Sequence, residues 1–118
     1  MGGIVFFRTE KLEEIEEFYQ EQIGMHVWLE QAGCTILSHD NLLLGFCQRE
    51  GPETEGMITF YYDTKAEVDE IYEKLKDIAE TKPKENRKYR IYQWFAKDPE
   101  GRNLEFQAFL HDLPEINC

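Results

Sequence analysis

Long apolar runs, paired cysteine motifs and a surplus of basic residues are all missing from this sequence, and each absence removes a class of function. No stretch approaches the ~18 consecutive apolar residues that suggest a membrane-spanning helix. The opening MGGIVFFRTEK has neither a basic start nor a long apolar segment, so no signal peptide is expected. Phe6 and Phe7 stand where N-myristoylation would want a hydroxyl residue. The cysteines, Cys34, Cys47 and Cys118, are odd in number and form no CxxC pair. Free thiols in a reducing cytoplasm are therefore expected, not a disulfide scaffold. Only 13 Lys and Arg oppose 24 Asp and Glu, a formal net charge of −11. Such a surface repels phosphate backbones and anionic lipid, which excludes nucleic acid and membrane as partners and favours cationic ligands. No P-loop, Rossmann fingerprint or Ser-His-Asp set is present.

What is present is an internal repeat. IVFFRTEKLEEIEEFY (Ile4–Tyr19) aligns without gaps on MITFYYDTKAEVDEIY (Met57–Tyr72). Phe7 falls on Phe60, Glu10 on Asp63, Ile15 on Val68, Phe18 on Ile71 and Tyr19 on Tyr72. Each copy opens with a predicted strand, about 3–8 and 56–62, and then shifts from period 2 to the helical period near residues 9 and 64. Leu12, Ile15, Tyr19 and Ile23 share one helix face; Val68, Ile71, Tyr72, Leu75 and Ile78 share the other. Thr64 followed by Glu67 is a capping-box signature. Three strands follow the first helix, at 26–31, 34–39 and 41–48. A short strand in ETKPKENRK and a hairpin, YRIYQWFAK and RNLEFQAF around DPEG, follow the second. The chain thus reads as one α+β domain of two βαβββ units, about 3–48 and 56–110, with a linker at 49–55 and a short tail at 111–118.

Alternation assigns faces. Leu104, Phe106 and Ala108 form an apolar set suited to packing on a helix, which leaves Glu105 and Gln107 on the opposite side. Ile91, Gln93 and Phe95 share one face of their strand; Tyr92 and Trp94 share the other. His26, Trp28 and Glu30 are expected on one face of theirs. His26, His39 and His111 show no spacing typical of a metal-ligand pair and read as surface or cavity-wall residues.

A doubled βαβββ unit closing on DPEGRNLEF, Asp98 to Phe106, resembles the glyoxalase, bleomycin-resistance and extradiol-dioxygenase group, the vicinal oxygen chelate superfamily. The resemblance spans roughly residues 3–109. The Phe18-Tyr19 pair late in the first helix is a second, weaker mark. The resemblance implies a cup-like mixed sheet with helices on its outer face, and frequent homodimers. It also implies, for the enzymes of the group, a divalent metal held from the first strand of each unit and the last strand of the second. Carried onto this chain, those positions are Ile4, Met57 and Glu105. A further position in glyoxalase I falls in the apolar LLLGF. Ile has no donor and a thioether suits hard ions poorly, so the triad is incomplete and no cofactor is expected.

The expectation is therefore a small-molecule-binding protein, its ligand cationic or aromatic, acting without a complete metal site. Phe6, Trp28, Tyr61 and Phe95 are candidate stacking walls. Arg8, His26, Met57, Thr59, Gln93, Glu105 and Gln107 are candidate contacts. Glu105 is expected to be raised in pKa in a dry cup, or else paired with Arg8 or a cationic ligand, or accepting from Tyr61. Two alternatives stand beside this: a metal-dependent lyase or dioxygenase with an unusual ligand set, and a non-catalytic dimeric regulatory module.

Overall fold

The computed structural model describes residues 2–115; Cys118, with its expected free thiol, lies outside them. The chain forms two compact units. Unit 1 comprises the residues up to Thr54 together with Asp98–Gly101; unit 2 comprises Glu55–Lys97 and the residues from Arg102 on.

Unit 1 runs β1 (Val5–Thr9), α1 (Leu12–Glu17), a π-helical turn Phe18–Ile23, then β2 (His26–Gln31), β3 (Cys34–His39) and β4 (Leu42–Gln48). Its four-stranded sheet has the order β1-β4-β3-β2, with β1 parallel to β4 and the other pairs antiparallel. Unit 2 repeats the plan: β5 (Met57–Tyr62), α2 (Lys65–Lys74), a 3-10 turn Lys76–Ile78, β6 (Lys84–Asn86), β7 (Ile91–Lys97) and β8 (Asn103–Phe109), in the order β5-β8-β7-β6. The fold is α+β, as the repeat predicts.

The aligned residues do the same work in both units. Phe7 sits opposite Phe46 and stacks on it at 6.1 Å; Phe60 sits opposite Phe106 and stacks on it at 5.7 Å. Ile15 and Val68 are both fully buried. Unit 1 completes its core with Tyr19 against Phe46, and unit 2 with Trp94 between Phe106 and Tyr72. The capping box of α2 is formed: the Thr64 hydroxyl accepts from Glu67 N, and the Glu67 carboxylate accepts from Thr64 N.

Helix α1 has no such cap of its own. Its start is held by side chains from elsewhere in unit 1, among them Glu100 of the 98–101 turn. Thr9 donates its hydroxyl, and Glu10 its backbone N–H, to the Glu100 carboxylate. Lys11 N donates to the Thr9 hydroxyl, and Leu12 N to Gln48 Oε1. Within the turn, Glu100 N donates to Asp98 Oδ1 and Gly101 N to Asp98 O; Gly101 takes φ +91°, where a side chain would be strained. The buried Tyr19 hydroxyl donates to Asp98 Oδ2 at 2.7 Å. The two sequence marks of the resemblance, DPEG and Phe18-Tyr19, thus meet through one hydrogen bond. Their role is architectural: they anchor the first helix.

Two expectations are corrected here. Cys34 and Cys47 are joined by a disulfide across β3 and β4, where they stand directly opposite each other. The free-thiol reading fails for this pair, and with it that support for a reducing compartment. On β2, the register slips between Val27 and Leu29. One extra residue inverts the alternation beyond it. His26 shares a face with Ser38 and Leu29 with Ile36, whereas Glu30 lies opposite Thr35 on the helix side. His26, Trp28 and Glu30 therefore do not share a face. Among the described residues no helix is long and apolar enough to cross a membrane.

Candidate functional site

The face of the unit 2 sheet turned away from α2 carries the candidate site. Pairing places Gln93 beside Gln107, Phe95 beside Glu105 and Thr59 beside Glu105. Ile58, Phe60, Trp94, Leu104 and Phe106 take the other face and are buried. The alternation of β7 and β8 is therefore as the sequence predicts. A cavity of about 580 Å³ opens on this face, lined by Met57, Asn86, Tyr89, Ile91, Gln93, Phe95, Glu105, Gln107, Phe109 and His111. Its volume is that of a small-molecule site.

Glu105 is the floor of this cavity and is only 8% exposed. Three neutral donors hold its carboxylate. Thr59 Oγ1 donates to Oε1 at 2.8 Å, Gln107 Nε2 donates to Oε1 at 3.2 Å, and Gln93 Nε2 donates to Oε2. The expected pairing with Arg8 is replaced by these three. Arg8 Nε donates to Gly51 O at 3.0 Å, and Arg8 N to the Glu53 carboxylate, within unit 1. Nor does Glu105 accept from Tyr61, whose ring meets Phe109 edge-on at 5.7 Å.

A carboxylate accepts only, so it fixes the orientation of every amide that touches it. Gln93 must turn its NH₂ to Glu105, which leaves its Oε1 to accept from Asn86 Nδ2 at 3.0 Å. Asn86 Oδ1 in turn accepts the backbone N–H groups of Lys88 and Tyr89. Gln107 donates one N–H to the same carboxylate, and its Oε1 is its acceptor. That atom is buried and has no hydrogen-bond partner among the described residues.

Of the predicted site residues, Met57, Gln93, Phe95, Glu105 and Gln107 line this cavity and Thr59 supports its floor. Phe6, Arg8, His26 and Trp28 belong to unit 1 and are not among its lining residues. Phe6 lies flat on Gly45, where an added Cβ would sit 2.4 Å from its ring. Trp28 is 55% exposed at the β2 bulge. Asn86, Tyr89, Ile91 and Phe109 are lining residues beyond those expected, and His111 takes the cavity-wall place that was one of its two readings. Ile91 and Phe109 follow from the alternation that placed Gln93 and Gln107. Asn86 depends on the β6–β7 register, which three polar residues do not reveal.

Among the described residues no group of three His, Cys, Asp or Glu converges as a candidate ion site.

No model of a known protein family matches the sequence, and no curated protein matches it. Solved structures do resemble it. A lactoylglutathione lyase from Agrobacterium tumefaciens superposes with a TM-score of 0.75 at 22% identity, over 89% of this chain and 90% of that one. A glyoxalase/bleomycin resistance protein/dioxygenase from Alicyclobacillus acidocaldarius gives 0.78 at 16% identity, over 95% and 93%. A family enzyme of the same description from Burkholderia phytofirmans gives 0.77 at 20% identity, over 91% and 97%. Together with the doubled βαβββ plan, these likenesses give the chain the fold of the glyoxalase, bleomycin-resistance and dioxygenase proteins.

Proposed function

We propose that this chain binds a small molecule in the cavity on the open face of the unit 2 sheet, without requiring a metal. One observation carries the reading: a cavity walled largely by apolar side chains has as its floor a buried carboxylate held only by neutral donors. The walls suit a flat apolar body, and the polar floor fixes its orientation. Protein-observed NMR with a set of flat apolar fragments tests this. Resonances of Phe95, Gln107 and Phe109 are expected to move saturably, and Ile91→Trp, which fills the cavity, should abolish the response. Fragments that leave these residues unmoved would refute it.

The metal-dependent alternative predicts stoichiometric metal in the purified protein and turnover when Ni²⁺, Mn²⁺ or Fe²⁺ is supplied. Elemental analysis with an activity assay separates the two. A homodimer is proposed from the apolar residues that unit 1 leaves exposed, Val5, Phe6, Trp28 and Leu29 among them. Sedimentation at micromolar concentration checks it, and a monomer would count against it.

A further inference from the structure

We infer that this cavity selects ligands whose head group is a cationic N–H donor and rejects those whose head group is an anion, an inference that rests on the binding reading above. One buried acceptor in the cavity wall is left unsatisfied. Of the side chains lining the cavity, Gln107 alone has a buried polar atom with no hydrogen-bond partner among the described residues, and that atom, Oε1, is an acceptor. Gln107 is itself only 8% exposed. A buried carbonyl without a donor costs free energy, which a ligand N–H or O–H would recover.

The amide cannot simply turn over to present a donor instead. Its Nε2 is held by Glu105 Oε1, and a flip would set two acceptors against each other. Gln93 is fixed in the same sense from both ends, by Glu105 on one side and by Asn86 on the other. Asn86 is fixed by two backbone N–H groups that can only donate. Reversing Gln93 would break both of its bonds, and reversing Gln107 would break its bond to Glu105. His111, a further wall residue, has Nδ1 at 2.9 Å from Asp112 O. A carbonyl cannot donate, so Nδ1 is the donor of this bond.

Charge points the same way. The three groups bonded to the Glu105 carboxylate are uncharged, and the chain's net charge is −11. A carboxylate or phosphate head group would meet a buried acceptor beside a buried anion. An amidinium or ammonium would meet a hydrogen-bond acceptor and a counter-charge together.

Benzamidine, acetophenone and benzoate share a phenyl ring and a planar head of similar shape; the first donates as a cation, the second only accepts, the third is an anion. Titrated against the intact chain and followed at the cavity resonances, benzamidine is expected to bind at least about tenfold more tightly than benzoate, with acetophenone between them. Gln107→Met keeps the bulk and removes the acceptor; it should weaken benzamidine about three- to tenfold and leave acetophenone within about twofold. Equal binding of all three, or tighter benzoate, would overturn this inference and leave the binding reading intact. Benzamidine affinity unchanged in Gln107→Met would also overturn it. No response at the cavity to any probe would refute the binding reading and this inference with it.

Discussion

Glu105 gathers more of the structure's polar logic than any other side chain. Its carboxylate is the acceptor for Thr59, Gln93 and Gln107, and through Gln93 it orients Asn86. Replacing it by Leu strands three donors in a buried setting, which should cost about 2–4 kcal/mol in denaturant unfolding. Glu105→Gln keeps an acceptor and should cost less than half as much. A Leu variant as stable as the parent would show that the network carries no weight. The position of Glu105 was legible in the sequence, because β8 alternates cleanly between an apolar set and Glu105 with Gln107. Its partners were not. Arg8 and Tyr61 stand as candidate partners on residue type alone, whereas the bonds formed depend on which side chains the β5–β8 and β7–β8 registers bring abreast.

At the scale of elements, the DPEG turn explains why a helix without its own cap stands where it does. The Tyr19 hydroxyl reaches Asp98, and Glu100 takes the Thr9 hydroxyl and the Glu10 N–H. Tyr19→Phe should cost about 1–2 kcal/mol by loss of a buried hydrogen bond to a carboxylate; a cost within error of zero would contradict the anchoring role. On the helix side of the unit 2 sheet, two of the six tyrosines are poised to titrate late. Burial, with Glu67 nearby, pushes Tyr62 up to about 12; the hydrogen bond that Tyr92 donates to Asp69, with burial second, also pushes it up to about 12. Between the ordinary tyrosine pKa of 10.0 and about 12 the folded chain holds protons that the unfolded chain has lost. Stability should therefore be intact below pH ~10 and fall as pH rises towards ~12. Phenolate absorbance should show Tyr62 and Tyr92 ionising above the ordinary value; a single transition at the ordinary value would contradict this. Nothing in the sequence signals the β2 bulge, since one unpaired residue leaves no trace in an alternation of exposed residues. The disulfide, in contrast, was within reach. Asp40 at φ +50° helps form a two-residue turn that sets His39 opposite Leu42. Counting outward from that turn brings Cys34 opposite Cys47.

For the whole molecule, the Cys34–Cys47 bond closes a loop of 13 residues' separation. Loops of this size contribute about 2–3 kcal/mol. Alkylation in denaturant should label two more thiols after reduction than before, and reduction should lower stability by about that amount. Full labelling without reductant would contradict the bond. The doubled plan itself was plain in the gapless repeat, because each unit must bury the same stripe: Phe7 with Ile15 in one, Phe60 with Val68 in the other. The proposed ligand class was not plain, because it rests on one leftover carbonyl whose direction is set by the bond of Gln107 to Glu105. The most direct test of the account is a crystal structure of the chain with benzamidine. The amidinium is expected within hydrogen-bond distance of Gln107 Oε1, with the phenyl ring between Phe95 and Phe109. Benzamidine bound elsewhere, or a Gln107 amide turned to offer Nε2 to the cavity, would contradict it.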